Sequence, residues 1–186
     1  MPDRRLPVTT ELEFPAERKF YFASDFHLGV PNHDISVDRE RRLVRWLEMA
    51  AADNGVVFLV GDLFDFWFEY QKAVPKGHVR FLGKIAELTD RGISIHIFTG
   101  NHDLWMFGYL EKELGVKVHH QPILLKSGDR RILVGHGDGL GPGDRSYKIL
   151  KRLFTSRFAQ FLFSWLHPDI GIALALRWSR NSRLAN

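Results

Sequence analysis

The chain has 186 residues, 45% of them hydrophobic, which is enough for one domain with a real core and too short for two ordinary ones. It contains no cysteine, so a disulfide framework, a thiolate metal site and a cysteine nucleophile are all excluded, and the composition suits a reducing cytoplasm. The net charge is +4 and unevenly placed: from Leu140 onward eight arginines and lysines stand against two aspartates.

Residues 1–18 mix charges with Pro2, Pro7 and Pro15 and lack the continuous apolar run of a secretory signal, so they read as an N-terminal extension and export is not indicated. Phe20–Ala23 is a short apolar run that ends at Ser24-Asp25, and Val56–Val60 is a β-branched run that ends at Gly61-Asp62; both predict buried strands. Between them Leu43, Leu47, Ala50 and Ala51 share one helical face, with Asp38 and Glu40 near the expected helix start, where the helix dipole favours anions. The aromatic run Phe64, Phe66, Trp67 and Phe68 suits core or pocket wall.

Phe81, Leu82, Ile85, Ala86 and Leu88 predict a second helix. Ile93, Ile95 and Ile97 alternate with Ser94 and His96, a strand pattern that ends at Gly100-Asn101, and His96 reads as a satisfied sheet residue. Trp105–Leu114 suggests a third helix, weakened by Gly108. Arg131–Val134 is a fourth strand, followed by Gly135-His136. His33, His78, His119 and His120 lie outside these strand ends and read as surface or loop histidines.

After His136 the pattern changes. Residues 137–143 hold four glycines and a proline and predict a loop. The segment beyond is aromatic and basic, and reads as two helices broken near His167-Pro168, forming a cap over residues 145–186. Its most apolar stretch, 158–176, is interrupted by Gln160, Ser164 and His167-Pro168-Asp169, short of the ~18 uninterrupted apolar residues of a membrane span. Arg and Lys interleaved with Phe154, Phe158, Phe161, Phe163, Trp165 and Trp178 suggest an anionic, partly apolar partner, and a membrane surface fits better than nucleic acid. A merely solvated helix face is the plainer alternative. No protein partner is indicated.

Strands alternating with helices imply a layered α/β fold, in which ligands collect at the carboxyl ends of strands. Four strand ends carry Asp25-Phe26-His27, Gly61-Asp62, Gly100-Asn101-His102-Asp103 and Gly135-His136-Gly137-Asp138. A lone Gly-Asp after a strand is usually a turn; four ligand-bearing ends in order are hard to explain by chance.

This series resembles the signature of the calcineurin-like metallophosphoesterases, D-x-H, GD, GNH[DE], GH and a closing G-H-x-H. Gly61–Trp67, His136–Leu140 and Asn181-Ser182 further resemble the UDP-2,3-diacylglucosamine hydrolases of lipid A biosynthesis. The resemblance implies a β-sandwich core over residues 19–144 flanked by helices, with Asp25, His27 and Asp62 on one metal and Asp62, Asn101 and His136 on another. His102 would assist the leaving oxygen and Asp103 would orient it. Asn101, His102, Asp144, Ser182 and Asn186 match positions that contact substrate.

A mixed O/N donor set without thiolate suits two divalent ions of the manganese, iron or zinc type, with Mn²⁺ the first choice. Such a protein would hydrolyse the pyrophosphate of its lipid-linked nucleotide in the cytoplasm, at the inner face of the cytoplasmic membrane. Two departures stand out. The chain stops at Asn186 before any G-H-x-H segment and is expected to continue into one, and His102 stands where the better-known proteobacterial hydrolases carry arginine. Another calcineurin-like hydrolase and a non-catalytic scaffold are the competing readings.

Overall fold

The structure is a computed structural model that describes residues 10–138 and 151–185, the last five as backbone. Among the described residues seven strands, β1 (Thr10–Phe14), β2 (Phe20–Ala23), β3 (Val56–Val60), β4 (Ile95–Phe98), β5 (Lys117–His119), β6 (Ile123–Ser127) and β7 (Arg130–Val134), form two sheets. One is all parallel in the order β2-β3-β4-β5; the other, β1-β6-β7, pairs β1 parallel and β7 antiparallel to β6. Helices α1 (His33–Ala52), α2 (Val79–Asp90) and α3 (Tyr109–Leu114) lie among the strands in sequence, and α4 (Arg157–Ser164) and α5 (Pro168–Ala185) follow them. Residues 151–155 are also helical.

The parallel sheet is covered on both faces, which explains the unbroken apolar runs of β3 and β4. Val57, Leu59, Ile95 and Ile97 pack against Leu43, Leu47 and Ala50 of α1 and Ile85 and Leu88 of α2. The alternate residues Val56, Phe58 and Phe98 face Ile123, Leu125 and Val134 of the second sheet. Burying each large side chain contributes roughly 1.5–3 kcal/mol, so both interfaces anchor the strands whose ends form the site.

Several expectations need correction. Thr10–Phe14, grouped with the extension, is a strand of the second sheet: Leu12 and Phe14 point into the inter-sheet core, and Thr10 pairs with Ile123. β5 and β6 carry no strong pattern of their own, and their neighbours create them. The third helix begins only at Tyr109, because Gly108 sits at φ 114 and Trp105 forms an isolated bridge with Phe68.

The first helix starts earlier than expected, at His33, with Asn32 accepting from the Ile35 amide at 3.0 Å and Asp34 as its first-turn acid. Asp38 therefore pairs with Arg42 one turn on, and buried Glu40 accepts from the Phe81 amide, tying α1 to α2. His78 is buried, not a surface histidine, and His119 is half-buried in β5, 2.9 Å from His96. His96 is satisfied as expected, between Ser94 and His119 and stacked on Phe58.

Candidate metal centre

The loops after β2 and β3 run side by side. The amides of Asp25, His27 and Leu28 donate to the carbonyls of Gly61, Asp62 and Leu63 at 2.9–3.1 Å. Asp25, His27 and Asp62 all hold left-handed backbone, at φ 58, 42 and 53. For non-glycine residues this conformation costs on the order of 1 kcal/mol or more, and such strain gathers where side chains must be aimed. Arg39 of α1 braces the first loop by donating to the carbonyls of Phe26, His27 and Val30.

The strand ends converge on Asp62, which is 3% exposed. Its Oδ1 accepts from the His102 amide at 2.9 Å, while Oδ2 lies 3.8 Å from His27 Nε2 and 3.5 Å from His136 Nε2. Asn101 Oδ1 stands 3.3 Å from the same His136 nitrogen. Two clusters of donor atoms, each within 4.8 Å, share this aspartate: His27, Asp62 and His102, and Asp25, Asp62 and His136. Asp25, His27, Asp62, Asn101 and His136 are thus brought together, with Asp25 grouped beside His136 and His27 beside His102 around Asp62. Asp144 and Asn186 lie outside the described residues, as does the side chain of Ser182.

The donor chemistry fits divalent ions. His136 Nδ1 lies 2.9 Å from the Val60 carbonyl, which fixes one proton there and turns Nε2 toward Asp62, so that loss of the Nε2 proton would leave that nitrogen free for a metal. Carboxylate and amide oxygens with imidazole nitrogens suit manganese, iron or zinc. Burial pushes the Asp62 carboxyl up, but the His136 hydrogen bond, the His102 amide and both imidazoles outweigh it and hold its pKa below the usual range. Burial lowers His136, yet the Asp62 bond and charge, with the Val60 carbonyl and Asp138, raise it to about 9.

Asp103 does something other than orient His102. Fully buried, its carboxylate accepts from the amides of Gly100 and Leu63 at 2.7 Å, and from Asp62 and Phe64 at 3.3 and 3.4 Å. It pins the two motif loops to each other. Burial, then the Asp62 charge, lift its pKa to about 6 against those amides. The carboxylate beside the His102 ring is Asp65, 1% exposed, with Oδ1 3.8 Å from His102 Nδ1 and 3.8 Å from His27 Nδ1. Sequence reasoning passed over Asp65 although it stands within the Gly61–Trp67 motif; Arg39 had no local signal at all.

Two cavities flank the cluster. One, about 200 Å³, is walled by Phe66, Trp105, Phe154, Phe163 and Trp178, with Asn101 and His102 at its polar end. The other, about 690 Å³, lies on the His136 side and includes Asp138 and Lys151, which pair at 2.5 Å.

An aspartate shared by two candidate donor clusters where strand ends of both sheets meet, within a two-sheet sandwich, is the arrangement of a metal-dependent α/β hydrolase. The chain belongs to the calcineurin-like phosphoesterase family, whose sequence profile matches residues 18–180. It is 43% identical over 166 residues to a UDP-2,3-diacylglucosamine hydrolase of Porphyromonas gingivalis, covering 89% of this chain and 63% of that protein. It is 30% identical to one of Aeromonas salmonicida over 89% of this chain and 63% of that protein, and 29% to one of Neisseria gonorrhoeae over 90% and 68%. The chain therefore spans less than two thirds of the length of the first two relatives.

Proposed function

We propose that the chain forms the metal-binding core, residues 19–144, and the cap, residues 145–186, of an enzyme that hydrolyses the pyrophosphate of UDP-2,3-diacylglucosamine to UMP and 2,3-diacylglucosamine 1-phosphate. The observation that carries this beyond the family is the apolar cavity whose polar end is Asn101 and His102. A polyphosphate has no apolar part to fill it, and a nucleobase would stack there only with its polar edge groups desolvated; the acyl chains of an acylated sugar phosphate carry none. The larger cavity beside His136 suits the nucleotide.

Two divalent ions, Mn²⁺ the first choice, held by Asp25, His27, Asp62, Asn101 and His136, would supply an activated water and a clamp on the phosphoryl oxygens. His102 serves the leaving oxygen through Nε2, the ring nitrogen not engaged by Asp65 and Ser179. Asn101 acts on both metal and substrate, and Asp144, Ser182 and Asn186 are further substrate contacts. Asp103 contributes by holding the loops that aim these groups.

The cap supports a peripheral site of action on the cytoplasmic membrane. Phe158 and Trp165 are 70% and 77% exposed, beside exposed Arg152 and Arg157, and no described helix is long and apolar enough to cross a bilayer. Nucleic acid is not an expected partner.

The test is turnover by the full-length protein of the lipid-linked diphosphate in detergent against simple dinucleotides. Preference for the lipid substrate supports the reading, and equal or better hydrolysis of dinucleotides replaces it with another phosphoesterase activity. Purified protein holding fewer than about one metal ion per chain would favour a non-catalytic scaffold.

A further inference from the structure

The groups around the His102 ring come from two parts of the chain that no motif connects. His102 Nδ1 lies 3.1 Å from the Asp65 carbonyl and 3.1 Å from Ser179 Oγ. The Ser179 hydroxyl donates to Asp65 Oδ2 at 3.0 Å. Ser179 is 3% exposed, so these bonds form inside the protein, where they are not exchanged for water. With a carbonyl and a hydroxyl oxygen both facing Nδ1, the ring proton is held there and the ring plane is fixed.

Asp65 sits on the loop after β3, but Ser179 belongs to α5, 77 residues from His102. About one turn earlier on that helix Leu174 and Ala175, and directly before Ser179 Trp178, wall the same apolar cavity that ends at His102. Trp178 packs edge-to-face on Phe154, and the Phe154 carbonyl accepts from Trp105 Nε1 at 2.7 Å. Among its contacts with the core, the cap thus brings apolar cavity walls and the Ser179 hydroxyl to the centre.

We propose that Ser179 is a positioning residue that couples filling of the apolar cavity to the orientation of His102. An apolar chain seated against Leu174 and Trp178 holds α5 on the core, and α5 holds Ser179 on Asp65 and His102. The link to turnover rests on the hydrolase reading above; the link to the His102 ring does not.

In the full-length protein, Ser179→Ala is expected to lower kcat on the lipid-linked diphosphate about tenfold or more with KM within threefold, the loss typical of removing a group that orients a site imidazole. The kcat advantage of an acylated substrate over its deacylated analogue should shrink toward one in the same variant. Ring ¹⁵N spectra should show His102 as a single Nδ1–H tautomer in the parent and as a mixture in Ser179→Ala. This readout needs no turnover, so it separates failure of the coupling from failure of the assigned substrate.

Ser179→Thr, which keeps the hydroxyl, should recover most of the lost kcat. An unchanged tautomer in Ser179→Ala overturns the proposal, as does kcat within threefold of the parent. A raised KM at constant kcat also overturns it, because Ser179 would then be a substrate contact. So does failure of a Ser179→Thr protein with the parent's melting temperature to recover activity.

Discussion

Gly100 stands so close to Asp62 that a methyl group on its α-carbon would lie 2.2 Å from Asp62 Oδ1 and 2.4 Å from the Asp62 amide nitrogen. The glycine before Asn101 is therefore a steric requirement of the shared carboxylate. Gly61 is similar, with φ 78 and room for no side chain against the His136 ring.

Gly100→Ala is expected to push Asp62 off its place, at a cost of about 1–3 kcal/mol in stability for overpacking a closed site. Metal content should fall with it. Denaturant unfolding and metal analysis on the same preparation check both, and a protein of parental stability and metal content would refute the steric reading.

Metal binding should release protons. Because Asp62 holds His136 at about 9, the imidazole is protonated near neutrality in the metal-free protein, and an ion must displace that proton. Apparent Mn²⁺ affinity should rise with pH until about 9, and calorimetry in buffers of different ionisation enthalpy should report roughly one proton released per chain at pH 7. In Asp62→Ala the metal should be lost while the fold persists; turnover within tenfold of the parent would count against a shared carboxylate.

Asp103→Ala should destabilise the fold more than it alters chemistry at His102. It strips the acceptor from the buried amides of Gly100 and Leu63, and each stranded buried donor costs about 1–3 kcal/mol. Thermal unfolding would show the loss directly. Had Asp103 been an orienting partner of His102, activity would fall at unchanged stability.

Stability should decline on mild acidification because of two buried histidines. Burial lowers His78 to about 4; burial, then His119 and Lys117, lower His96 to about 4. The unfolded chain takes up these protons near pH 6.5 and the folded one only near 4, so stability is intact above the upper value and is lost as pH falls through that window. The slope is about 1.4 kcal/mol per pH unit for each group fully within it, and Asp103, raised to about 6, offsets one such group below that pH, so the two histidines together still leave a net loss. His78→Asn, which tolerates the left-handed φ of 58 at that position, should flatten the profile of unfolding free energy between pH 6 and 4.5. An unchanged slope would refute the assignment.

Much of the centre was legible beforehand because its signals are local. An apolar run that ends in glycine and a ligating residue specifies both a strand and the donor at its end, so Asp25, His27, Asp62, Asn101 and His136 could be picked out one strand at a time. For Asp25, His27, Asp62 and Asn101 the order along the chain matches the order of the neighbouring strands β2, β3 and β4, whereas His136 arrives from β7 of the other sheet. The helices α1 and α2 were equally readable from their apolar faces, since both periodicities depend only on neighbours in sequence.

What only the tertiary structure decided involves groups whose meaning depends on a distant partner. β1 has two inward residues and becomes a strand because β6, beginning at Ile123, lies beside it. Asp103 and Asp65 are both aspartates near the same motifs, yet one faces backbone amides and the other two imidazoles. Ser179 carries no signal within its own helix and acquires one by arriving beside Asp65 and His102. The amino-acid sequence by itself determined which donors come after each strand, because that is a matter of adjacency. Which carboxylate or hydroxyl then meets which ring is set by packing of separate elements, and hydrogen bonds a few ångströms long are decided only when that packing is complete.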